Sequence, residues 1–192
     1  MTLRVISGTL KNRKLFSVPS SNITRPTSDR LRETIFNILA NYTYMADVLD
    51  IFAGTGALGI EAISRGAEHA VFMEKNKTAS LIIDKNIKLC MLEKKTTNIK
   101  RDVLLNLNFI KSIKISFDLV FMDPPYNMGF VKPVLQKLHD NRLIKEDGFI
   151  IVEHSCREII PQRIKELELF DQRKYGKSMI TFYRKGMVCE KK

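Results

Sequence analysis

Between residues 48 and 59 an apolar run, Val48-Leu49-Asp50-Ile51-Phe52, passes through Ala53-Gly54-Thr55-Gly56 into a helical pattern that holds a third glycine, Gly59. A buried strand that carries a carboxylate near its end and turns through glycines into a helix leaves few folds open. The turn brings backbone close to a ligand, and the strand must be covered on both faces. The same rhythm runs along the chain. Strand-length apolar runs fall at residues 70–73, 119–122 and 149–152, and a further strand is expected near Thr97 to Lys100. Helical spacing starts at Ala57 and recurs over 78–91, through Val131, Val134, Leu135 and Leu138, and near 159–165. Two β segments close the chain at 169–175 and 179–184. This alternation predicts an α/β fold with a central, mostly parallel, seven-stranded sheet, helices on both faces, and ligands bound beyond the carboxyl ends of the strands.

Ahead of that unit Leu3, Val5, Leu15, Phe16 and Val18 alternate around the turn formers Ser7-Gly8 and Lys11-Asn12, which predicts a small β-hairpin. A helix follows, capped by Ser28, carrying Leu31, Ile35, Phe36, Ile38 and Leu39 and ending near Tyr42. Residues 1–24 therefore read as a basic β-hairpin extension and 25–192 as the main domain.

The acidic residues stand at successive strand ends. Gly54 and Gly56 allow close approach to a ligand, Gly59 lets the helix pack on the strand, and the three also fit a Gly-x-Gly-x-x-Gly dinucleotide pattern. Glu74, closing Val71-Phe72-Met73-Glu74, is placed to accept from two ribose hydroxyls. These features indicate a nucleoside cofactor without saying which. Asp102, in Lys100-Arg101-Asp102-Val103, is placed to accept from an adenine amine, although a loop aspartate is also a common helix cap.

The most telling segment is Asp123-Pro124-Pro125-Tyr126, directly after Leu119-Val120-Phe121-Met122. An aromatic amine is a poor nucleophile because its lone pair is delocalised into the ring. Two acceptors aimed at its hydrogens draw that pair out of conjugation, and Asp123 offers a carboxylate while Pro124 offers a carbonyl stiffened by two pyrrolidine rings. Tyr126 offers a face on which a base can stack, a use that calls on the ring and not on the hydroxyl.

Bulk properties narrow the partner. The 192 residues carry a net charge of +11, and Arg4, Lys11, Arg13, Lys14, Arg25, Arg30 and Arg32 crowd the amino-terminal segment. That pattern favours a polyanion, nucleic acid first, with these residues as docking candidates. Arg173, Lys174, Lys177, Arg184 and Lys185 crowd the other end. The three cysteines and three histidines show no metal or disulfide spacing, so reduced thiols and no metal are expected. No apolar run has the length of a bilayer span and no secretory signal is evident, so the expected location is cytoplasmic.

Taken together, the glycine turn, Glu74, Asp102 and Asp123 to Tyr126 resemble the class I S-adenosylmethionine-dependent methyltransferases, a Rossmann-like fold. That resemblance implies S-adenosylmethionine as cofactor, with Gly54, Gly56 and Gly59 against its methionine part and Asp50 beneath the turn. It also implies Glu74 on the ribose, Asp102 with Val103 at the adenine, and Asp123, Pro124, Pro125 and Tyr126 as the catalytic motif. A closer likeness lies in Arg4-Val5-Ile6-Ser7-Gly8, Arg13-Lys14-Leu15 and the run from Arg25-Pro26-Thr27-Ser28-Asp29 to Phe36-Asn37. These are similar to the RsmD family of 16S rRNA guanine-N2 methyltransferases. The resemblance implies methylation of one guanine of the 16S rRNA, within the small ribosomal subunit or an assembly intermediate. A DNA adenine-N6 methyltransferase and a non-catalytic RNA-binding assembly factor are the alternatives, the first lacking a segment long enough to read DNA and the second leaving the ordered acids unexplained. A dinucleotide oxidoreductase is more distant. Arg25, Thr27 and Asp29 would serve either the RNA or the cofactor.

Overall fold

The computed structural model describes residues 3–18, 29–105, 107–113 and 116–186. Two compact units divide the chain, Met1–Val103 and Leu104–Lys192.

In the first unit α1 (Asp29–Ile38) and α2 (Ala40–Thr43) precede β1 (Asp47–Ile51), α3 (Ala57–Ser64), β2 (His69–Met73), α4 (Lys77–Cys90) and β3 (Thr96–Ile99). The helix expected to run to Tyr42 is interrupted at Leu39, whose carbonyl accepts from both the Tyr42 N–H and the Thr43 hydroxyl. Ser28, its expected cap, lies outside the described residues. The three strands are parallel in the order β3-β2-β1, with Asp50 beside Phe72 and Met73 beside Ile99. Every residue of β1 is buried, as a strand covered on both faces requires. On α4, Asn76 caps the first turn by accepting from Ala79 N–H, and Ile82, Ile83 and Ile87 fall on its buried side.

The second unit holds β4 (Phe117–Met122), α5 (Val131–Asp140), β5 (Ile144–Ser155), β6 (Arg163–Ile164), β7 (Leu167–Tyr175) and β8 (Ser178–Lys185). Its strand order is β4-β5-β8-β7-β6, with β4 and β5 parallel and the rest antiparallel. Met122 lies beside Val152 and Ser155 beside Ser178, so the loops after β4 and β5 and the β7–β8 turn emerge at one edge.

The helix expected near 159–165 is absent. Pro161 steers the preceding Ile160 away from helical backbone, and its carbonyl accepts a 2.6 Å hydrogen bond from the Tyr183 hydroxyl. The chain continues into the two-residue β6, so the described residues hold eight strands where seven were expected. Within the same residues no helix is long and apolar enough to cross a membrane.

Candidate functional site

The glycine turn follows β1, with Gly54 and Gly56 in the left-handed region their lack of a side chain allows and Phe52 there as well. Phe52, Gly54 and Gly56 take positive φ of 59°, 57° and 76°, and Gly56 N–H donates to Ala53 O at 2.7 Å, closing the turn that opens α3. The buried Asp50 lies under it, its Oδ2 accepting from Gly59 N–H at 3.0 Å. Gly59 has no room for a side chain, because a Cβ there would stand 2.3 Å from Phe72 Cε1. Burial, with the nearby Glu74 charge added, pushes the Asp50 carboxyl up to about 8 despite the Gly59 bond.

Glu74 sits just past β2, half-buried, and binds the turn as well. One carboxylate oxygen accepts from Gly54 N–H at 2.9 Å and the other from Asn76 N–H at 2.8 Å. Each oxygen has a further lone pair for an outside donor. Asp102, just past β3, pairs with Lys75 at 3.5 Å, while Val103 is buried. Asp50, Glu74 and Asp102 thus gather at the carboxyl edge of three adjacent parallel strands.

In the second unit Asp123 and Pro124 follow the last residue of β4, Asp123 half-buried and Pro124 buried, while Pro125 and Tyr126 turn outward. The Tyr126 hydroxyl donates to Glu153 Oε1 at 2.6 Å and lies 2.8 Å from Ser178 Oγ. Partial burial, reinforced by Glu153, pushes its phenol well above the ordinary value, so the hydroxyl keeps its proton. Glu153 and Ser178 escaped the sequence reading. Their signal was present, since Glu153 closes an apolar run in the same manner as Glu74 and Asp123.

The basic arm of residues 3–18 is a hairpin-like loop with one antiparallel bridge, Arg4 to Lys14, in place of regular strands. Glu61 of α3 pins it, accepting from Ile6 N–H at 2.7 Å and Ser7 N–H at 3.0 Å, and also from Arg65. Asn86 of α4 accepts from Phe16 N–H and donates to the carbonyls of Phe16 and Thr55, tying the arm to the glycine turn. Lys11, Arg13, Lys14 and Arg30 are exposed. Arg4 is exposed too and pairs with Asp29 at 3.2 Å. Arg32 corrects the docking set: its side chain is 0% exposed, and its Nη2 donates to Arg4 O and Asp29 Oδ1. It is a strut between the arm and α1 and has no face for a phosphate. Arg25 and Thr27 lie outside the described residues.

At the carboxyl end the basic cluster is largely paired. Arg173 meets Asp171, Arg184 meets Asp147, and Lys185 meets Glu146 and Glu166. His154 is buried and structural, with Nδ1 donating to Ser155 O and Nε2 accepting from Thr181 Oγ1. Burial lowers its pKa and keeps it neutral.

A glycine turn after a buried strand, acids at successive strand ends and Asp-Pro-Pro-Tyr after β4 define an α/β protein of the class I methyltransferase fold. The Escherichia coli yhhF structure has that fold, with a TM-score of 0.83 at 30% identity over 97% of this chain and 99% of its own. More particularly, the chain belongs to the RsmD family of methyltransferases. Residues 3–184 match the family described as conserved hypothetical protein 95. The Escherichia coli ribosomal RNA small subunit methyltransferase D is 33% identical over 183 residues, 95% of this chain and 90% of that protein. YlbH of Bacillus subtilis is 35% identical over 183 residues, 95% of this chain and 99% of its own.

Proposed function

We propose that the chain transfers the methyl group of S-adenosylmethionine to the exocyclic N2 of one guanine in the 16S rRNA of the small ribosomal subunit or of an assembly intermediate. The observation that carries this reading is Asp123-Pro124-Pro125-Tyr126 at the end of β4, with the tyrosine hydroxyl held by Glu153 and Ser178.

The first unit fits a nucleoside cofactor. Among the described residues a Cβ on Gly54 would meet nothing nearer than Phe52 O, at 3.9 Å, which leaves room for a ligand. Glu74 braces the turn through Gly54 N–H and retains lone pairs for ribose hydroxyls. Gly54, Gly56 and Gly59 would hold the methionine part, with Asp50 beneath them, and Asp102 with Val103 would hold the adenine. S-adenosylmethionine, when bound, supplies a methyl group already activated on a sulfonium.

Positioning is the chief contribution of this chain's own residues. The Asp123 carboxylate and the Pro124 carbonyl accept the two amine hydrogens and turn the nitrogen lone pair out of the ring. Tyr126 takes the face of the guanine. Turning a base out of its stack costs on the order of a few kcal/mol, which stacking on an aromatic side chain offsets by roughly 1–3 kcal/mol. Arg4, Lys11, Arg13, Lys14 and Arg30 contact phosphates and set the register of the RNA, joined by Arg25 on the resemblance alone. Relatives named ribosomal RNA small subunit methyltransferase D support the RNA, and guanine N2 follows from the family resemblance.

The test is to incubate the protein and methyl-labelled S-adenosylmethionine with small subunits from cells lacking the enzyme, then digest the RNA to nucleosides. Label in N2-methylguanosine supports the reading. Label in another nucleoside, in ribosomal protein, or nowhere overturns it.

A further inference from the structure

One edge of the second unit carries apolar side chains that its core does not use. The loop after β4, the loop after β5 and the β7–β8 turn meet there. They are stapled to one another: Asn127 N–H donates to Glu158 Oε2 at 3.3 Å, Cys156 N–H to Lys177 O at 3.0 Å, and the Tyr126 hydroxyl lies 2.8 Å from Ser178 Oγ. On this framework Ile159 is 99% exposed and Met128 60% exposed. Met128 stands between two residues in the left-handed region, Asn127 at φ 58° and Gly129 at φ 67°, a tight turn that presents its side chain to solvent. Scattered exposed apolar residues are ordinary. Here the two stand on the paired loops that flank the proposed stacking tyrosine, with the exposed cations Arg157 and Lys177 on the same loops.

We propose that Met128 and Ile159 form an apolar wedge that enters the RNA stack and occupies the space left by the target base, while Arg157 and Lys177 contact the adjoining phosphates. This rests on the reading of the chain as an RNA base methyltransferase and names how that site opens its substrate. A base on the Tyr126 face leaves a gap in its own stack, and exposed Ile and Met side chains are of the kind that nucleic-acid-binding proteins insert between bases. The flanking cations match the charge of the backbone on either side of such a gap. The stapling hydrogen bonds hold the wedge rigid, so little order is lost when it inserts.

The experiment compares the wild-type chain with Met128→Ser/Ile159→Ser and with Met128→Leu/Ile159→Leu on small subunits lacking the modification. Because both side chains project into solvent, neither change should alter the unfolding midpoint or S-adenosylmethionine affinity, and both are measured as controls. The serine pair is expected to lower kcat/KM for the particle at least tenfold, and the leucine pair to stay within threefold of wild type. A serine pair within twofold of wild type overturns the wedge, as does a leucine pair that falls as far as the serine pair. Replacing Ile159 with the photoreactive p-benzoylphenylalanine reports the partner directly. Crosslinking to rRNA beside the methylated base is expected, whereas crosslinking solely to ribosomal protein makes this a protein-docking surface and overturns the proposal. Absence of methyl transfer by the wild-type chain would instead defeat the underlying function.

Discussion

Tyr126 donates its phenolic proton to Glu153 Oε1 across 2.6 Å, joining the residue that follows the two prolines to the carboxyl end of the neighbouring strand. From the sequence alone the ring has a role and the hydroxyl none. The hydrogen bond changes that, because it fixes where the ring stands before a base arrives. A hydrogen bond to a charged partner is worth about 1.5–3 kcal/mol, roughly ten- to a hundredfold in rate if expressed fully in the transition state. Tyr126→Phe should therefore lower kcat/KM by about tenfold or more, with Tyr126→Ala falling much further. Glu153→Gln, which keeps an acceptor, should cost less than Glu153→Ala. Steady-state kinetics on the ribosomal particle checks the order, and cofactor affinity should stay constant throughout.

The exposed cations of the arm predict a salt signature. Arg13→Glu with Lys14→Glu should weaken particle binding and reduce the slope of log affinity against log salt by about two, near one for each lost phosphate contact. Arg32, being buried, should behave differently: Arg32→Ala should lower the unfolding midpoint and leave the salt slope unchanged. Binding titrations at several salt concentrations separate the two outcomes.

Asn86 links the arm to the cofactor turn through Phe16 and Thr55. Asn86→Ala strips partners from three partly buried backbone groups, so a stability loss on the order of 1–3 kcal/mol is expected in urea unfolding. Because Thr55 belongs to the glycine turn, calorimetry should also show weaker S-adenosylmethionine binding.

Asp50 predicts a pH dependence of definite sign. Its carboxyl is pushed up to about 8 from 3.8, so the folded chain holds a proton that the unfolded chain releases above pH 4. The stabilisation this gives is fully present below the unfolded value and is lost as pH rises toward 8, at no more than about 1.4 kcal/mol per pH unit. Asp50→Asn removes the titration while keeping an oxygen for Gly59 N–H. Urea unfolding of the cofactor-free protein between pH 5 and 8 should show wild type losing stability relative to the variant, and parallel profiles would refute the assignment.

The parallel strands β1, β2, β4 and β5 were legible as apolar runs of strand length, whereas β3, Thr96–Ile99, is mostly polar and was placed by the alternation around it. Of the candidate acids, Glu74 and Asp123 were legible because each closes an apolar run, Asp50 because it stands before the glycine turn, and Asp102 by its place in the series. Residues 159–165 were not, because Ile160 and Ile164 repeat at a helical interval while Pro161 steers Ile160 out of the helical region. Arg32 was misread because its charge is visible in sequence and its burial is not. Glu61, Asn86 and Glu153 were overlooked since each acts on groups far along the chain, from 27 residues away for Tyr126 to 70 for Phe16. Local spacing carries no record of such pairings.

On the proposed reading Asp123 grips the amine that receives the methyl group and takes no part in holding the cofactor. Single-turnover methyl transfer to small subunits by Asp123→Ala, run beside calorimetric titration of the same protein with S-adenosylmethionine, tests this most directly. Transfer should fall at least a thousandfold while cofactor affinity stays within twofold of wild type. Transfer near the wild-type rate, with the cofactor still bound, would contradict it.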